Sequence, residues 1–306
     1  MPNWISPYWF GATTLWVLAV CGLNLTAPIP ANAQAQVGFF GYVAVMCDLD
    51  DALDDAPITD YSTEVAGFTN ANHVCLPGDP ARWADRLATA AARFRPILSV
   101  EPVFELTGAG PDGAQAAALW ALLRQAITES GIDPGQIIFY LADEPTLRGL
   151  SLTRIDRAAA MVRAAYPLAE VLLVEACSLA GPPPIPPHLT LWGFDCYTIP
   201  DPAADPAYMT YLALARGRLR PGQRLVPVLD ASHTPTHQTT GLTPDDMGDV
   251  ALAYARLALG QTGIAGVIGY AWPGGIERPD ERGVRDMPAA VIAAHRQAGR
   301  MRLGLD

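Results

Sequence analysis

The sequence predicts an α/β fold of the (β/α)8 barrel type, a closed ring of parallel strands surrounded by helices. From Gln36 onward, short β-branched or aromatic runs that end in polar residues alternate with longer Ala-, Leu- and Arg-rich stretches. This alternation is typical of β-α-β units and a parallel sheet. Eight strand-like runs occur, on average about 30 residues apart. The 306 residues, half of them hydrophobic, are enough to bury one such core.

The strand-like runs are bounded by polar or turn residues. They cover residues 37–47, 65–72, 96–104, 136–141, 171–176, 190–197, 224–230 and 266–272. The first run ends in the acidic segment 46–51, whose negative charge disfavours phosphate binding. An open sheet with a phosphate-binding turn after its first strand is therefore the less favoured alternative.

The stretches between the runs have helical spacing and helix-start or helix-stop residues. Helices are predicted at residues 80–94, 113–130, 152–166, 243–259 and 288–301. The fifth connection, residues 178–188, is rich in Pro, so we expect no regular helix there. Because no change in composition divides the chain, residues 36–306 are predicted to form one catalytic domain.

The first residues differ from the rest of the chain. Residues 9–25 are apolar and uncharged, and an A-x-A pattern follows them at residues 31–35. This pattern predicts a signal peptide over residues 1–35, cleaved after Ala33 or Ala35, and hence a secreted or periplasmic protein. A permanent N-terminal membrane anchor is the alternative.

Export determines how the cysteines are interpreted. Cys21 would leave with the signal peptide, and Cys47, Cys75, Cys177 and Cys196 would remain in an oxidising compartment. Three pairings of the remaining cysteines are possible. Since Cys47 and Cys75 follow neighbouring strands, and Cys177 and Cys196 end neighbouring strands, these two pairs are the expected disulfides.

The charge limits the possible partners. The net charge is −11 and the chain contains no Lys. Nucleic acid, and any membrane surface beyond the signal segment, are disfavoured because both need a basic protein face. We expect a monomer that binds a neutral or weakly charged substrate.

Polar residues cluster at the ends of the predicted strands, where barrel active sites are built. They are Asp48, Asn70, Asn72, His73, Glu101, Glu105, Asp143, Glu144, Glu175, Asp195, Tyr197, Asp230, His233, Tyr270 and Trp272. A scaffolding role explains one or two carboxylates, but acids follow four successive strands, the fourth to the seventh. Burying charge is costly and is tolerated mainly at functional sites, so a carboxylate-based active site is predicted.

Residues 139–145, Phe-Tyr-Leu-Ala-Asp-Glu-Pro, resemble the end of the fourth strand in TIM-barrel glycoside hydrolases. In that superfamily a short Asn-Glu-Pro or Asp-Glu-Pro motif carries the general acid/base, which implies that role for Glu144. Trp272 resembles the superfamily's aromatic sugar platform. Residues 193–197 resemble the acidic and aromatic positions of the sixth strand in some members.

The seventh strand departs from this pattern. Retaining members of the superfamily have a nucleophilic Glu at its end, whereas this chain has Asp230. Asp230 is the first candidate for the second carboxylate, followed by Asp195 and then by Glu175. For Glu175, a salt bridge to a rim Arg is an equally good interpretation.

The residue before a proline favours an extended conformation. Pro145 therefore predicts that Glu144 faces the barrel mouth while Asp143 braces it. The expected substrate contacts are Asp143, Glu175, Tyr197, His233, Tyr270, Trp272 and Asn72. His233 and His237 lie in a Thr/Pro-rich segment, so they are predicted to belong to a loop facing substrate or solvent and not to a helical zinc pair.

The resemblance implies an exported O-glycoside hydrolase with a carbohydrate substrate and neither cofactor nor metal. One alternative is a barrel that binds carbohydrate without cleaving it. Another is a metal-dependent hydrolase that uses Asp48, Glu144, Asp195 and the two histidines.

Overall fold

The computed structural model describes residues 38–54, 57–178 and 180–306. The predicted signal peptide, residues 1–35, lies outside the described residues. Within the described ranges, no helix is both long enough and apolar enough to cross a membrane.

Eight parallel strands form a single sheet in the order β1-β8-β7-β6-β5-β4-β3-β2. The strands are β1 Phe39–Tyr42, β2 Ala71–Val74, β3 Arg95–Ser99, β4 Ile138–Asp143, β5 Glu170–Ala176, β6 Leu191–Asp195, β7 Arg224–Asp230 and β8 Gly266–Tyr270. With helices between the strands, this confirms the predicted (β/α)8 barrel.

Helices cover the outside of the ring. They are α1 Trp83–Ala91, α2 Glu101–Phe104, α3 Ala114–Ser130, α4 Leu152–Ala165, α5 Pro206–Arg218, α6 Pro235–Thr239, α7 Met247–Gly260 and α8 Ala289–Leu303. The sequence analysis did not predict α2, α5 or α6. For α5 a signal was present, because Asp205 caps the helix by accepting a hydrogen bond from Tyr208 N at 2.7 Å, and Pro206 follows the cap.

Several strands differ from their predicted bounds; β1, for example, ends at Tyr42 instead of residue 47. The second strand begins at Ala71 instead of residue 65, because Val65 belongs to a turn in which Tyr61 O accepts its N–H. The third strand ends at Ser99, and the predicted continuation forms α2.

Side chains alternate between the inside of the barrel and the layer under the helices. In β7, Val226 and Val228 pack inside the barrel, whereas Leu225 and Leu229 pack in the outer core. The same alternation in the other strands determines which polar side chains reach the barrel mouth.

The ring closes between β1 and β2 through asparagine side chains. Asn72 Oδ1 accepts the N–H of Tyr42 at 3.0 Å, and Asn70 Oδ1 accepts the N–H of Phe40 at 2.9 Å. A Cβ on Gly41 would lie 1.4 Å from Ala71 O, so only glycine permits this approach of the two strands.

Both predicted disulfide pairs are confirmed. Cys47 and Cys75 have Cα atoms 4.4 Å apart and join the chain beyond β1 and β2. Cys177 and Cys196 have Cα atoms 5.4 Å apart and join the ends of β5 and β6. The disulfides therefore brace two neighbouring pairs of strands at the carboxyl end of the barrel.

Replacing Asn72 with Ala would leave the buried Tyr42 N–H without its acceptor. We expect the free energy of unfolding, measured by urea denaturation, to fall by about 1–3 kcal/mol. The matched control Gln297→Ala, at an exposed position of α8, should change it by less than about 0.5 kcal/mol. Unchanged stability of Asn72→Ala would show that the asparagine does not hold the seam.

Candidate active site

Two adjoining cavities open at the carboxyl end of the barrel. The main cavity measures about 370 Å³ and is lined by Asp143, Glu144, Asp195, Tyr197, Thr198, Ser232, Thr234, Thr236, His237, Tyr270, Glu277, Arg278 and Glu281. The side cavity measures about 230 Å³ and is lined by Val43, Ala44, Cys47, Leu49, His73, Cys75, Ser99, Glu101, Tyr140, Ala142, Asp143, Tyr270, Ile276 and Glu277. Because Asp143, Tyr270 and Glu277 belong to both, the cavities form one cleft.

The chain turns at Glu144, directly after β4. Glu144 has φ 42°, in the left-handed region, so the extended conformation predicted from Pro145 is wrong. A register shift between Tyr140 and Asp143 precedes the turn, and Glu144 N donates to Val174 O at 2.9 Å. As a result, Asp143 and Glu144 both line the main cavity, although strict strand alternation would separate them.

Glu144 and Asp195 form a carboxyl pair. A side-chain hydrogen bond from Asp195 stabilises the charged form of Glu144, so Asp195 is the member of the pair that carries the shared proton. Desolvation, followed by the charge of Asp143, raises the pKa of Glu144. Burial, followed by the charges of Glu144 and Asp143, raises the pKa of Asp195 to about 8. The pair therefore holds one proton near neutral pH.

Asp195 is the more rigid member of the pair. It ends β6 on the inner side of the barrel, is 5% exposed, and accepts the Tyr197 hydroxyl through Oδ2 at 3.1 Å. Its Oδ1 is buried and accepts no hydrogen bond, as expected if Asp195 is protonated and donates to Glu144. Glu144 is half-buried in the turn and has more freedom to move.

Asp230, the first candidate for the second carboxylate, is fully buried at the end of β7. Its Oδ2 accepts the N–H of Thr198 at 2.7 Å, and both its oxygens lie 3.0–3.1 Å from His237 Nε2. Since His237 Nδ1 accepts the Thr234 N–H, Nε2 carries the proton and donates to Asp230. Asp230 thus anchors the loops after β6 and β7 and presents no free oxygen face to the cavity.

Glu175 lies on the outer side of β5, in step with Val171 and Leu173, which pack in the outer core. It is 1% exposed and accepts the hydroxyl and the N–H of Thr146 at 2.8 and 3.2 Å. Burial raises the pKa of its carboxyl. Glu175 therefore holds the segment that follows Glu144, and its bonded partner is a threonine instead of the arginine considered above.

Aromatic side chains line one wall of the cleft. The rings of Tyr197 and Tyr270 lie 6.1 Å apart, and both residues are partly exposed. Trp272 is only 1% exposed, packs on Tyr42 and Phe68, and donates to Glu64. It presents no free face to a sugar, so the platform predicted there is wrong; Tyr270, at the end of β8, lines the cleft instead.

Two further predicted contacts lie away from the cleft. Asn72 is fully buried on the outer side of β2, where it closes the barrel. His233 is 3% exposed and donates from Nε2 to Leu242 O at 3.1 Å. The segment of the two histidines is partly helical, since His237 lies in α6, but it does line the main cavity through Thr234, Thr236 and His237.

Two acids of the cleft, Glu277 and Glu281, were not among the polar residues at the predicted strand ends, and Glu101 was among them without an assigned role. Glu277 and Glu281 come from the segment after β8, and Glu101 begins α2 beyond β3. Glu277 and Glu281 lie several residues past the strand end, where the strand pattern carries no signal. The acidic composition of residues 277–281 was the only hint available in the sequence.

One group of possible metal ligands is found among the described residues, namely Cys47, His73 and Cys75. Its two cysteines are joined by a disulfide. The residues of the metal-dependent alternative are dispersed: Asp48 pairs with Arg86 outside the cleft, and the buried histidines bond to Asp230 and Leu242. The geometry does not favour that alternative.

No protein-family model and no curated protein matches the sequence. Solved structures do match. An α-amylase from Geobacillus thermoleovorans complexed with acarbose has a TM-score of 0.55 at 12% identity, over 88% of this chain and 79% of the amylase. Xylanase 10B from Thermotoga maritima has a TM-score of 0.51 at 10% identity, over 90% and 98%.

The catalytic core of a xylanase A has a TM-score of 0.53 at 13% identity, over 86% of this chain and 98% of the core. In fold, this chain resembles glycoside hydrolases. These structures share the (β/α)8 fold predicted from the sequence, and no single family is indicated.

The raised pKa of Asp195 predicts how stability depends on pH. The unfolded carboxyl titrates near about 3.9, so between that value and the folded value of about 8 the folded state binds more protons. The free energy of unfolding should therefore fall as pH rises through this window. Urea denaturation across it should show a smaller fall for Asp195→Asn than for the wild type.

The control for that measurement is Glu129→Gln, an exposed position of α3, which should follow the wild-type profile. Parallel profiles for Asp195→Asn and the wild type would contradict a proton shared with Glu144.

Proposed function

We propose that this chain is an exported O-glycoside hydrolase that uses Glu144 as general acid. The observation that carries the proposal is the hydrogen-bonded Glu144–Asp195 pair, which holds one proton in a cleft walled by Tyr197 and Tyr270. Glycoside cleavage needs a protonated carboxyl beside the leaving oxygen and a carboxylate nearby. A coupled pair with raised pKa values supplies both.

The acid step begins when the shared proton passes from Asp195 to Glu144, which turns towards the glycosidic oxygen and donates it. The C–O bond breaks, the leaving sugar departs as an alcohol, and positive charge develops on the ring that remains. Asp195, now without its hydrogen bond, is a buried carboxylate that stabilises this charge.

Water completes the reaction by adding to the charged ring. It passes one proton to the Glu144–Asp195 pair, which restores the starting state. In this scheme Asp195 is the second carboxylate. The two carboxyls are in hydrogen-bond contact in the free site, closer than the separation of about 5 Å in retaining enzymes, so the sugar must part them.

Asp230 is a positioning residue in this proposal. Its hydrogen bonds to Thr198 and His237 hold the segment that carries Tyr197 against the cleft. The flat apolar faces of Tyr197 and Tyr270 suit the stacking of sugar rings. Secretion or export to the periplasm is supported by the two disulfides, which persist in oxidising compartments.

Glu144→Gln keeps the shape of the side chain and removes its proton. Loss of a general acid lowers kcat by roughly 10²–10⁴-fold, and we expect a loss in this range with the fold and ligand binding retained. The assay is reducing-sugar release across a glycan panel, and Glu129→Gln is the control. Full turnover by Glu144→Gln would refute the mechanism, and binding without turnover by the wild type would indicate a carbohydrate-binding barrel.

The pH profile of kcat/KM gives an independent test. Activity should fall on the alkaline side as the pair loses its proton, near the pKa of about 8 of Asp195. Asp195→Asn removes the carboxyl that titrates there, so the alkaline limb near pH 8 should be lost. If the alkaline limb of the profile stayed at the same pH in Asp195→Asn as in the wild type, a group outside the Glu144–Asp195 pair would control it.

A further inference from the structure

The cleft has an excess of negative charge that the proposed mechanism does not use. Among the described residues, six carboxyl groups line its two cavities: Glu101, Asp143, Glu144, Asp195, Glu277 and Glu281. The mechanism needs two of them. Glu101 pairs with Arg148, which leaves Asp143, Glu277 and Glu281.

Positive charge in the cleft is sparse. Of the described residues that line the two cavities, Arg278 is the only arginine, and it is exposed and paired with Asp280. Burial lowers the pKa of His73 to about 4, so its ring is neutral at pH 7. Any charge on the His237 ring would be offset by Asp230, which it contacts.

These carboxylates repel one another. Burial is the largest cause of the raised pKa values of Glu144, Asp143 and Glu281; the charge of Glu277 raises all three further, and that of Asp143 raises the pKa of Glu144. Repulsion of this kind is a cost in the free protein that a bound cation would relieve. In the same cavity the buried Oδ1 of Asp195 accepts no hydrogen bond.

The acids are spread too widely to hold a single metal ion. Among the described residues, the one group of three metal-ligating side chains within 4.8 Å of one another is Cys47, His73 and Cys75, with no carboxylate in it. Hard divalent ions need several oxygens converging on one point. Separate carboxylates along a cleft suit separate positive charges along an extended ligand.

We propose that the cleft binds a glycan built from amino sugars with free, protonated amines. This inference rests on the proposed function and names its substrate class. Asp143 and Glu277 line both cavities, so an ammonium group at their junction would face both carboxylates at once. The rings of Tyr197 and Tyr270 add cation–π attraction beside it.

The proposal revises the neutral or weakly charged substrate expected from composition. The net charge of −11 and the absence of Lys disfavour anionic partners. Where this negative charge is concentrated in the cleft, it favours the binding of cationic ligands and attracts them from solution.

The test compares three tetrasaccharides with one backbone: β-1,4-linked glucosamine, N-acetylglucosamine and glucose. Binding is measured by calorimetry at pH 6.5 in a Glu144→Gln background, which prevents turnover. We expect the glucosamine oligomer to bind at least about tenfold more tightly than the other two, since charge-assisted hydrogen bonds are the stronger ones. Its affinity should fall as salt is raised.

Glu277→Gln in the same background should weaken binding of the glucosamine oligomer by about tenfold and leave the other two within about twofold. Glu129→Gln, the matched change on α3, should alter none of them. Equal binding of the three oligomers, no binding of the glucosamine oligomer, or no effect of Glu277→Gln on it would each overturn the inference. Displacement of that oligomer by millimolar Ca²⁺ alone would also overturn it, in favour of a metal site.

Turnover by the wild-type protein separates the two proposals. Cleavage of neutral glycans that depends on Glu144, without preference for amine-bearing glycans, would support the proposed hydrolase function and refute the amine preference. Tight, salt-sensitive binding of the glucosamine oligomer with no cleavage of any amine-bearing glycan would support the amine preference and refute the hydrolase function.

Discussion

The closed ring of parallel backbone hydrogen bonds is the constraint on which the rest of this molecule depends. Seven strand pairs are joined directly, and asparagine side chains complete the eighth junction between β1 and β2. Because all strands run in one direction, their carboxyl ends meet at one mouth. Acids that are up to about 130 residues apart in sequence, such as Glu101 and Asp230, are thereby brought to one end of the barrel.

Side-chain alternation then selects which of these acids reach the cleft. Asp195 and Asp230 continue the inner rows of β6 and β7, whereas Glu175 and Asn72 continue outer rows and support the wall. Glu144 reaches the mouth only because the chain turns there into a left-handed conformation. That conformation is costly for a residue with a side chain, and it is supported by the bonds of Thr146 to Glu175 behind it.

Two buried acids at this mouth are stabilised in different ways. Asp230 is satisfied by a backbone N–H and an imidazole, which fixes it as part of the scaffold. Asp195 has only Tyr197 and a second carboxyl, so it must share a proton with Glu144. A buried carboxylate whose hydrogen bonds are all made by the protein is suited to hold other groups in place. One that lacks some of these hydrogen bonds is suited to exchange a proton.

The sequence by itself determined the barrel, both disulfide pairs and the position of Glu144 directly after the fourth strand, because hydrophobic period and strand order are local properties. It could not determine the turn at Glu144, which depends on a bond to β5, or the burial of Trp272 and Asp230, which depends on what packs against them. Glu277 and Glu281 were not predicted because they lie in the loop after β8, where strand alternation does not indicate which side chains line the cleft. Local pattern thus specified the ring, and only its three-dimensional closure decided which side chains face one another across the cleft.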